Sequence, residues 1–191
     1  MAVIAYIGVG SNQGDRRAHC AAALAHIAAY PTTRILGQSS WYLTEPWGYR
    51  EQDDFINLVL TIETGLAPHE LLGLLKATEA KLARRKTVPL GPRTIDLDIL
   101  LYGDLVMQSP ELTIPHARLC ERGFVLVPLQ ELAPQLMHPV RRKTISRLLA
   151  ELDDAGAYET QRFVQLWGEA HLTRVKKWFR QAREDLAGGV A

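Results

Sequence analysis

An α+β fold with a central antiparallel sheet is what this sequence predicts, and three observations predict it. Apolar residues alternate with a period of two in several short segments, and recur at helical spacing in two others. The segments run in the order strand, helix, strand, strand, helix, strand, which is the order of a ferredoxin-like sandwich. At 191 residues and 47% hydrophobic content, the chain has enough apolar material for one core of ordinary size.

Composition narrows the function classes. Lys and Arg number 22 against 21 Asp and Glu, a net charge of +1, which excludes the strongly basic footprint of a general nucleic-acid binder. The two cysteines, Cys20 and Cys120, stand in no metal-ligand or Cys-x-x-Cys spacing, which fits a reducing compartment. No signal-peptide pattern precedes the first apolar run. The longest nearly uncharged stretch, 18–33, is Ala-rich, interrupted by His and Pro, and too short to span a bilayer. The expectation is a cytoplasmic, soluble protein with no membrane partner.

Residues 3–9 form a strand-type apolar run, and Asn12-Gln13-Gly14-Asp15 is turn chemistry ending in a helix N-cap. Cys20, Leu24, Ile27 and Tyr30 then recur at helical spacing until Pro31 stops the run. Gly8-x-Gly10-Ser11-Asn12 lacks the lysine and spacing of a P-loop, and reads as a strand-to-helix turn that needs small residues. Thr33–Tyr42 reads as a second strand and Asp54–Glu63 as a third, with a loop over 43–53 between them. In the third, Ile56, Leu58, Leu60 and Ile62 share one face while Phe55, Asn57, Val59 and Thr61 share the other. An amide in mid-strand beside an aromatic can hydrogen-bond a flat heterocycle, though a locally bonded Asn also fits. Pro68 opens a second helix whose apolar stripe is Leu71, Leu75, Thr78 and Leu82.

The last strand of the core, 94–102, carries charge in an otherwise buried pattern. Gly91-Pro92 precedes it and Gly103-Asp104 follows it. Ile95, Leu97, Ile99 and Leu101 are expected on one face and Asp96 and Asp98 on the other. Same-face neighbours lie about 6.5–7 Å apart, a separation across which two carboxylates share hard cations. Solvated carboxylates on a half-exposed edge strand fit the spacing equally well. Arg93 and the upstream cluster Arg84-Arg85-Lys86 supply guanidinium and ammonium groups of the kind phosphoryl transfer requires.

The run Gly91-Pro92-Arg93-Thr94-Ile95-Asp96-Leu97-Asp98-Ile99-Leu100 closely resembles the signature of the 6-hydroxymethyl-7,8-dihydropterin pyrophosphokinase family. The opening strand ending in Gly10-Ser11-Asn12, Ser39-Ser40-Trp41-Tyr42, Ile114-Pro115-His116 and Glu121-Arg122-Gly123-Phe124 extend the resemblance over roughly 3–150. It implies Mg²⁺-dependent transfer of diphosphate from ATP to a pterin hydroxymethyl group, with two ions held by Asp96 and Asp98. By the same resemblance, Arg84, Arg85, Lys86, Arg93, Ile99, His116 and Arg122 contact the nucleotide. Thr44, Trp47, Phe55, Asn57, Leu90, Asp96 and Phe124 form the pterin side, and Glu79 matches a family glutamate. Read on their own, Glu79 suits a lysine-paired surface residue, His116 a helix cap and Phe124 a core residue. A metal-dependent phosphodiesterase and a catalytically silent nucleotide- or pterin-binding paralogue are the alternatives.

Residues 1–160 are expected to form the catalytic domain and 161–191 a C-terminal extension. In the extension Leu172, Val175, Phe179, Ala182 and Leu186 make one helical stripe, suited to packing on the body or pairing with a second copy, as monomer or homodimer. Where the family commonly has Trp before Gly-Pro-Arg, this chain has Leu90. A smaller aliphatic group excludes water less well and loses aromatic contact. Leu90→Trp is therefore expected to raise kcat or lower the pterin KM in steady-state kinetics, and a variant that folds but improves neither would remove Leu90 from that role.

Overall fold

The computed structural model describes residues 2–46, 51–82, 91–154 and 164–165. In chain order these form β1 (Val3–Ser11), α1 (Arg16–Ala28), β2 (Thr33–Gln38), β3 (Tyr42–Thr44), β4 (Phe55–Thr64), α2 (Pro68–Lys81) and β5 (Asp96–Tyr102). The hairpin β6 (Met107–Gln108) and β7 (Thr113–Ile114) follows, then a 3₁₀ turn at Leu119–Glu121, α3 (Gly123–Leu132), α4 (Ile145–Asp154) and β8 (Val164–Gln165). Local chemistry sets the helix starts: Asp15 caps α1 by accepting from the Ala18 amide at 3.0 Å, and Pro68 opens α2. No helix among the described residues is long and apolar enough to cross a membrane.

The main sheet is antiparallel throughout. β1 lies between β5 and β4, and β4 pairs through its first half with β3 and through its second with β2. β8 adds to the outer side of β3. β4 alternates as expected: Ile56, Leu58, Leu60 and Ile62 join Ala5, Ile7 and Val9 of β1 in a core covered by Cys20, Leu24 and Ile27 of α1 and Leu71 and Leu75 of α2. Tyr30 lies past the end of α1 and outside its buried stripe.

The structure departs from the sequence reading in three places. The single strand expected over 33–42 is two, because Gln38 pairs with Leu60 and Tyr42 with Asn57, leaving 39–41 opposite only 58–59. Ser39 absorbs the extra residue: its amide donates to the Val59 carbonyl at 3.0 Å, and its Oγ accepts from the Val59 amide at 2.9 Å. Second, Leu101 does not share a face with Ile95, Leu97 and Ile99. The register slips so that Tyr6 pairs with Leu101 and Ile7 with Ile99, which makes Leu100 a bulge and turns both Leu100 and Leu101 to the opposite side. Third, that opposite side is itself half covered, since Val125, Leu126 and Leu129 of α3 cluster with Val59, Leu100 and Leu101, and Ile145 and Leu148 of α4 extend the cluster through α3. The expected C-terminal helix over 172–186 lies outside the described residues.

Ser39 is fully buried, so Ser39→Ala leaves the Val59 amide without its acceptor. Urea unfolding is expected to show a loss of about 1–3 kcal/mol with an unchanged m-value. A loss below about 0.5 kcal/mol would mean that the interruption is held by other contacts.

Candidate active site

The face of the sheet that carries the aspartates has a floor without side chains. Gly10 of β1 stands between Asp96 of β5 and Asn57 of β4, and Gly8 stands between Asp98 and Val59. A Cβ on Gly10 would meet Asn57 Oδ1 at 2.6 Å, and one on Gly8 would meet Leu100 at 3.3 Å. These glycines belong to β1 itself and not to the turn that the sequence suggested. Glycine inside a strand marks a place of close approach, which is the signal by which they could have been found.

An open cleft lies over this floor. One end is aromatic and polar, lined by Phe55, Phe124, Asn57, Thr44 and Glu45. Asn57 Nδ2 donates to Thr44 Oγ1 at 2.7 Å, which turns Oδ1 towards Gly10 and the cleft. Arg122 stacks over the Phe124 ring, 5.5 Å from its centroid.

The other end is charged, with Asp96, Asp98, Arg93 and Arg122 in the lining. Arg93 forms an ion pair with Asp96. Burial, and then the neighbouring Asp96 carboxylate, push the Asp98 carboxyl above its usual range, against the opposing pull of His116, Lys76 and Arg122. His116 Nε2 lies 3.9 Å from Asp98 Oδ2 while its Nδ1 accepts from the Arg118 amide at 3.2 Å. Burial pushes the His116 pKa down against the opposing pull of Asp98, and with Nδ1 accepting from Arg118 the proton of the neutral ring sits on Nε2, facing Asp98. The bond to Arg118 braces the turn ahead of the 3₁₀ helix, whose N-cap is Arg118, so His116 is not the helix cap that the sequence allowed.

Two carboxylates on one strand face, open to a cleft, fit a hard cation such as Mg²⁺. Among the described residues no group of three or more His, Cys, Asp or Glu side chains could hold a metal, so a cation here would have these two carboxylates as its protein ligands.

Two buried side chains hold this end in place. Glu79 of α2 is only 4% exposed; its Oε1 accepts from the Leu97 amide at 2.8 Å, between the two aspartates, and both its oxygens accept from Lys76 Nζ at 3.0–3.1 Å. The lysine pairing that the sequence allowed is present, but on a buried glutamate. Asn12 bridges two loops: Nδ2 donates to Gln52 Oε1 at 2.9 Å and to the Asp53 carbonyl at 3.0 Å, while Oδ1 accepts from the Arg93 amide at 2.7 Å. Its role was not read from the sequence.

Thr44, Phe55, Asn57, Arg93, Asp96, Asp98, Arg122 and Phe124 thus line one cleft, with His116 beside Asp98. Ile99 sits on the opposite face of β5 in the helix-covered core, where strand alternation puts it. Trp47, Arg84, Arg85, Lys86 and Leu90 lie outside the described residues. A second cavity, beyond His116, is lined by Thr113, Ala117, Cys120, His138 and Arg141.

The profile of the 7,8-dihydro-6-hydroxymethylpterin-pyrophosphokinase family matches residues 6–134. The chain is 43% identical over 152 residues to the 2-amino-4-hydroxy-6-hydroxymethyldihydropteridine pyrophosphokinase of Methylorubrum extorquens, covering 80% of this chain and 95% of that one. It is 43% identical over 133 residues to the enzyme of the same name from Bacillus subtilis, covering 70% and 80%. Among solved structures, wild-type Plasmodium falciparum HPPK-DHPS superposes with a TM-score of 0.65 at 17% identity, over 79% of this chain and 45% of that one. That likeness is one of fold, and the chain spans less than half of the larger protein.

Since the folded protein raises the Asp98 pKa, the protonated carboxyl is the form that folding favours. The stability it confers is present below the ordinary carboxylate range and is lost as pH rises through the raised value. Asp98→Asn keeps the group neutral at every pH. In metal-free buffer the variant is expected to melt above the parent at about pH 7, with the difference closing towards about pH 4. Equal Tm values at neutral pH would contradict this account of Asp98.

Proposed function

The chain belongs to the 7,8-dihydro-6-hydroxymethylpterin-pyrophosphokinase family, and from that premise we propose that the cleft over Gly8 and Gly10 is where a pterin and ATP meet. The protein is a pyrophosphokinase of folate biosynthesis, transferring diphosphate from ATP to the hydroxymethyl group of 6-hydroxymethyl-7,8-dihydropterin. The observation that carries the assignment of the cleft is the row Asp96, Gly10, Asn57, which sets an amide and a carboxylate on one face with bare backbone between them.

The heterocycle lies between the rings of Phe55 and Phe124, and Asn57 Oδ1 accepts an N–H from its edge while Thr44 holds the amide in that orientation. This pose directs the hydroxymethyl oxygen towards Asp96 and Asp98. That oxygen bonds to the β-phosphorus of ATP in line, the bond from the β-phosphorus to the α-phosphate bridge breaks, AMP leaves, and the hydroxyl proton is released. Arg93 and Arg122, with Arg84 from the segment outside the described residues, offset the charge on the transferred group. Nε2–H of His116 donates to a phosphate oxygen, and the second cavity beyond it takes the nucleoside.

Asp96 and Asp98 are the residues that would hold two Mg²⁺ ions, which when bound neutralise the phosphate oxygens and bring the two substrates together. Arg93, paired with Asp96, supplies part of the local positive charge, together with Arg122 and Lys76. The sheet order β5, β1, β4, β2 with α1 and α2 on one face supports reading the body as a ferredoxin-like sandwich. Residues 1–160 are the catalytic unit in this reading, and 161–191 an appended extension.

Isothermal titration with an unreactive ATP analogue, Mg²⁺ and the pterin tests this arrangement. Asn57→Ala is expected to weaken pterin binding about tenfold or more while leaving the analogue within about twofold, the loss of one well-placed hydrogen bond. Asp96→Asn is expected to abolish turnover and weaken the Mg²⁺-dependent analogue binding. An Asn57→Ala protein that binds the pterin as the parent does would move the pterin out of this cleft.

A further inference from the structure

Helix α3 carries Phe124 in its first turn and Glu131 in its last. A carboxylate at the C-terminal end of a helix opposes the helix dipole, and no basic residue of that turn offsets it. Its partners come from elsewhere in the chain. The Ser40 amide donates to both Glu131 oxygens at 2.9 and 3.0 Å, Ser40 Oγ donates to Oε1 at 2.7 Å, and the Tyr42 hydroxyl donates to Oε2 at 2.9 Å. Ser40 lies in the interruption between β2 and β3, where the backbone has left the ladder. Tyr42 stands opposite Asn57 in the β3–β4 pairing, and Thr44, two residues further on, holds the Asn57 amide.

One carboxylate therefore connects the helix that carries Phe124 to the strand that orients Asn57. The contacts beneath α3, from Val125, Leu126 and Leu129 onto Val59 and Leu100, are apolar and non-directional, and so resist separation better than sliding. Hydrogen bonds to a charged acceptor have defined length and direction, and they fix the slide. Glu131 is solvent-exposed, so the clamp adds little to global stability and its effect falls on position.

We propose that Glu131 is a positioning residue for the pterin: it fixes α3 along the sheet so that Phe124 faces Phe55, and it braces the strand behind Asn57. The inference rests on the reading of this cleft as the pterin site.

The test is a set of binding measurements on Glu131→Ala, Glu131→Gln, Tyr42→Phe and the double variant Tyr42→Phe/Glu131→Ala, with Asn57→Ala as control. Glu131→Ala is expected to raise the pterin Kd about five- to tenfold in the presence of Mg²⁺ and an unreactive ATP analogue, with the Kd of the analogue itself within about twofold. Tyr42→Phe is expected to cost about two- to threefold, and the double variant no more than Glu131→Ala alone, because both remove the same clamp. Glu131→Gln retains one acceptor oxygen and should fall between the parent and Glu131→Ala, so it also serves if the alanine variant folds poorly. A merely structural glutamate would lower Tm and leave the pterin Kd within about twofold, or weaken both ligands together, and either result overturns the proposal. If Asn57→Ala itself leaves pterin binding intact, the cleft reading fails and this inference falls with it. Loss of pterin affinity in Asn57→Ala but not in the Glu131 variants overturns the clamp alone.

Discussion

Asp96 and Asp98 repel one another across one strand face, and much of the site can be understood as an answer to that repulsion. Cations approach the pair from three directions: Arg93 from the loop before β5, Arg122 from the start of α3, and Lys76 from α2. Lys76 serves a second carboxylate as well, because Glu79 is buried and would be costly to leave unpaired. Glu79 in turn accepts from the Leu97 amide, so the backbone between the two aspartates is fixed by a side chain on α2. An edge strand leaves such amides unpaired, and here that vacancy is the means of holding a charged segment still.

The elements bearing these groups are far apart in sequence, so their mutual placement depends on contacts between segments. Asn12 is the clearest case. Sitting just beyond β1, it bonds the loop that leads into β4 and the loop that leads into β5, the two strands that deliver Asn57 and the aspartates. Arg16 adds a bond to the Asp54 carbonyl at 2.6 Å. The Asn57 end and the aspartate end of the cleft are thereby tied to one point at the end of the central strand.

How much was legible in the sequence follows from whether a feature is local. The alternation of Ile56, Leu58, Leu60 and Ile62 against Asn57 is a property of consecutive residues, and β4 was readable almost to its ends. The Asp-x-Asp pair, the caps at Asp15 and Pro68 and the turn at Gly103, whose φ is 50°, were readable for the same reason. The Leu100 bulge and the Ser39 interruption were not, because each is decided by a partner strand: a one-residue mismatch in pairing leaves no mark in either strand alone. The covering of the aspartate face by α3 and α4 was missed likewise, since Val59, Leu100 and Leu101 look the same in sequence whether they face helices or solvent. Family resemblance supplied His116, Arg122 and Phe124, which local patterning could not have separated from a cap, a surface charge and a core ring.

The bare floor at Gly8 and Gly10 bears on how a compound that competes for this cleft could be evaded. Any side chain at Gly10 would collide with Asn57, and one at Gly8 would press on Leu100, so a substitution at either position displaces a residue that lines the cleft. A flat inhibitor resting on that backbone contacts atoms common to every amino acid. Substitutions that spare the floor fall at exposed lining residues such as Glu45, so affinity drawn from the floor is the part least easily lost to mutation.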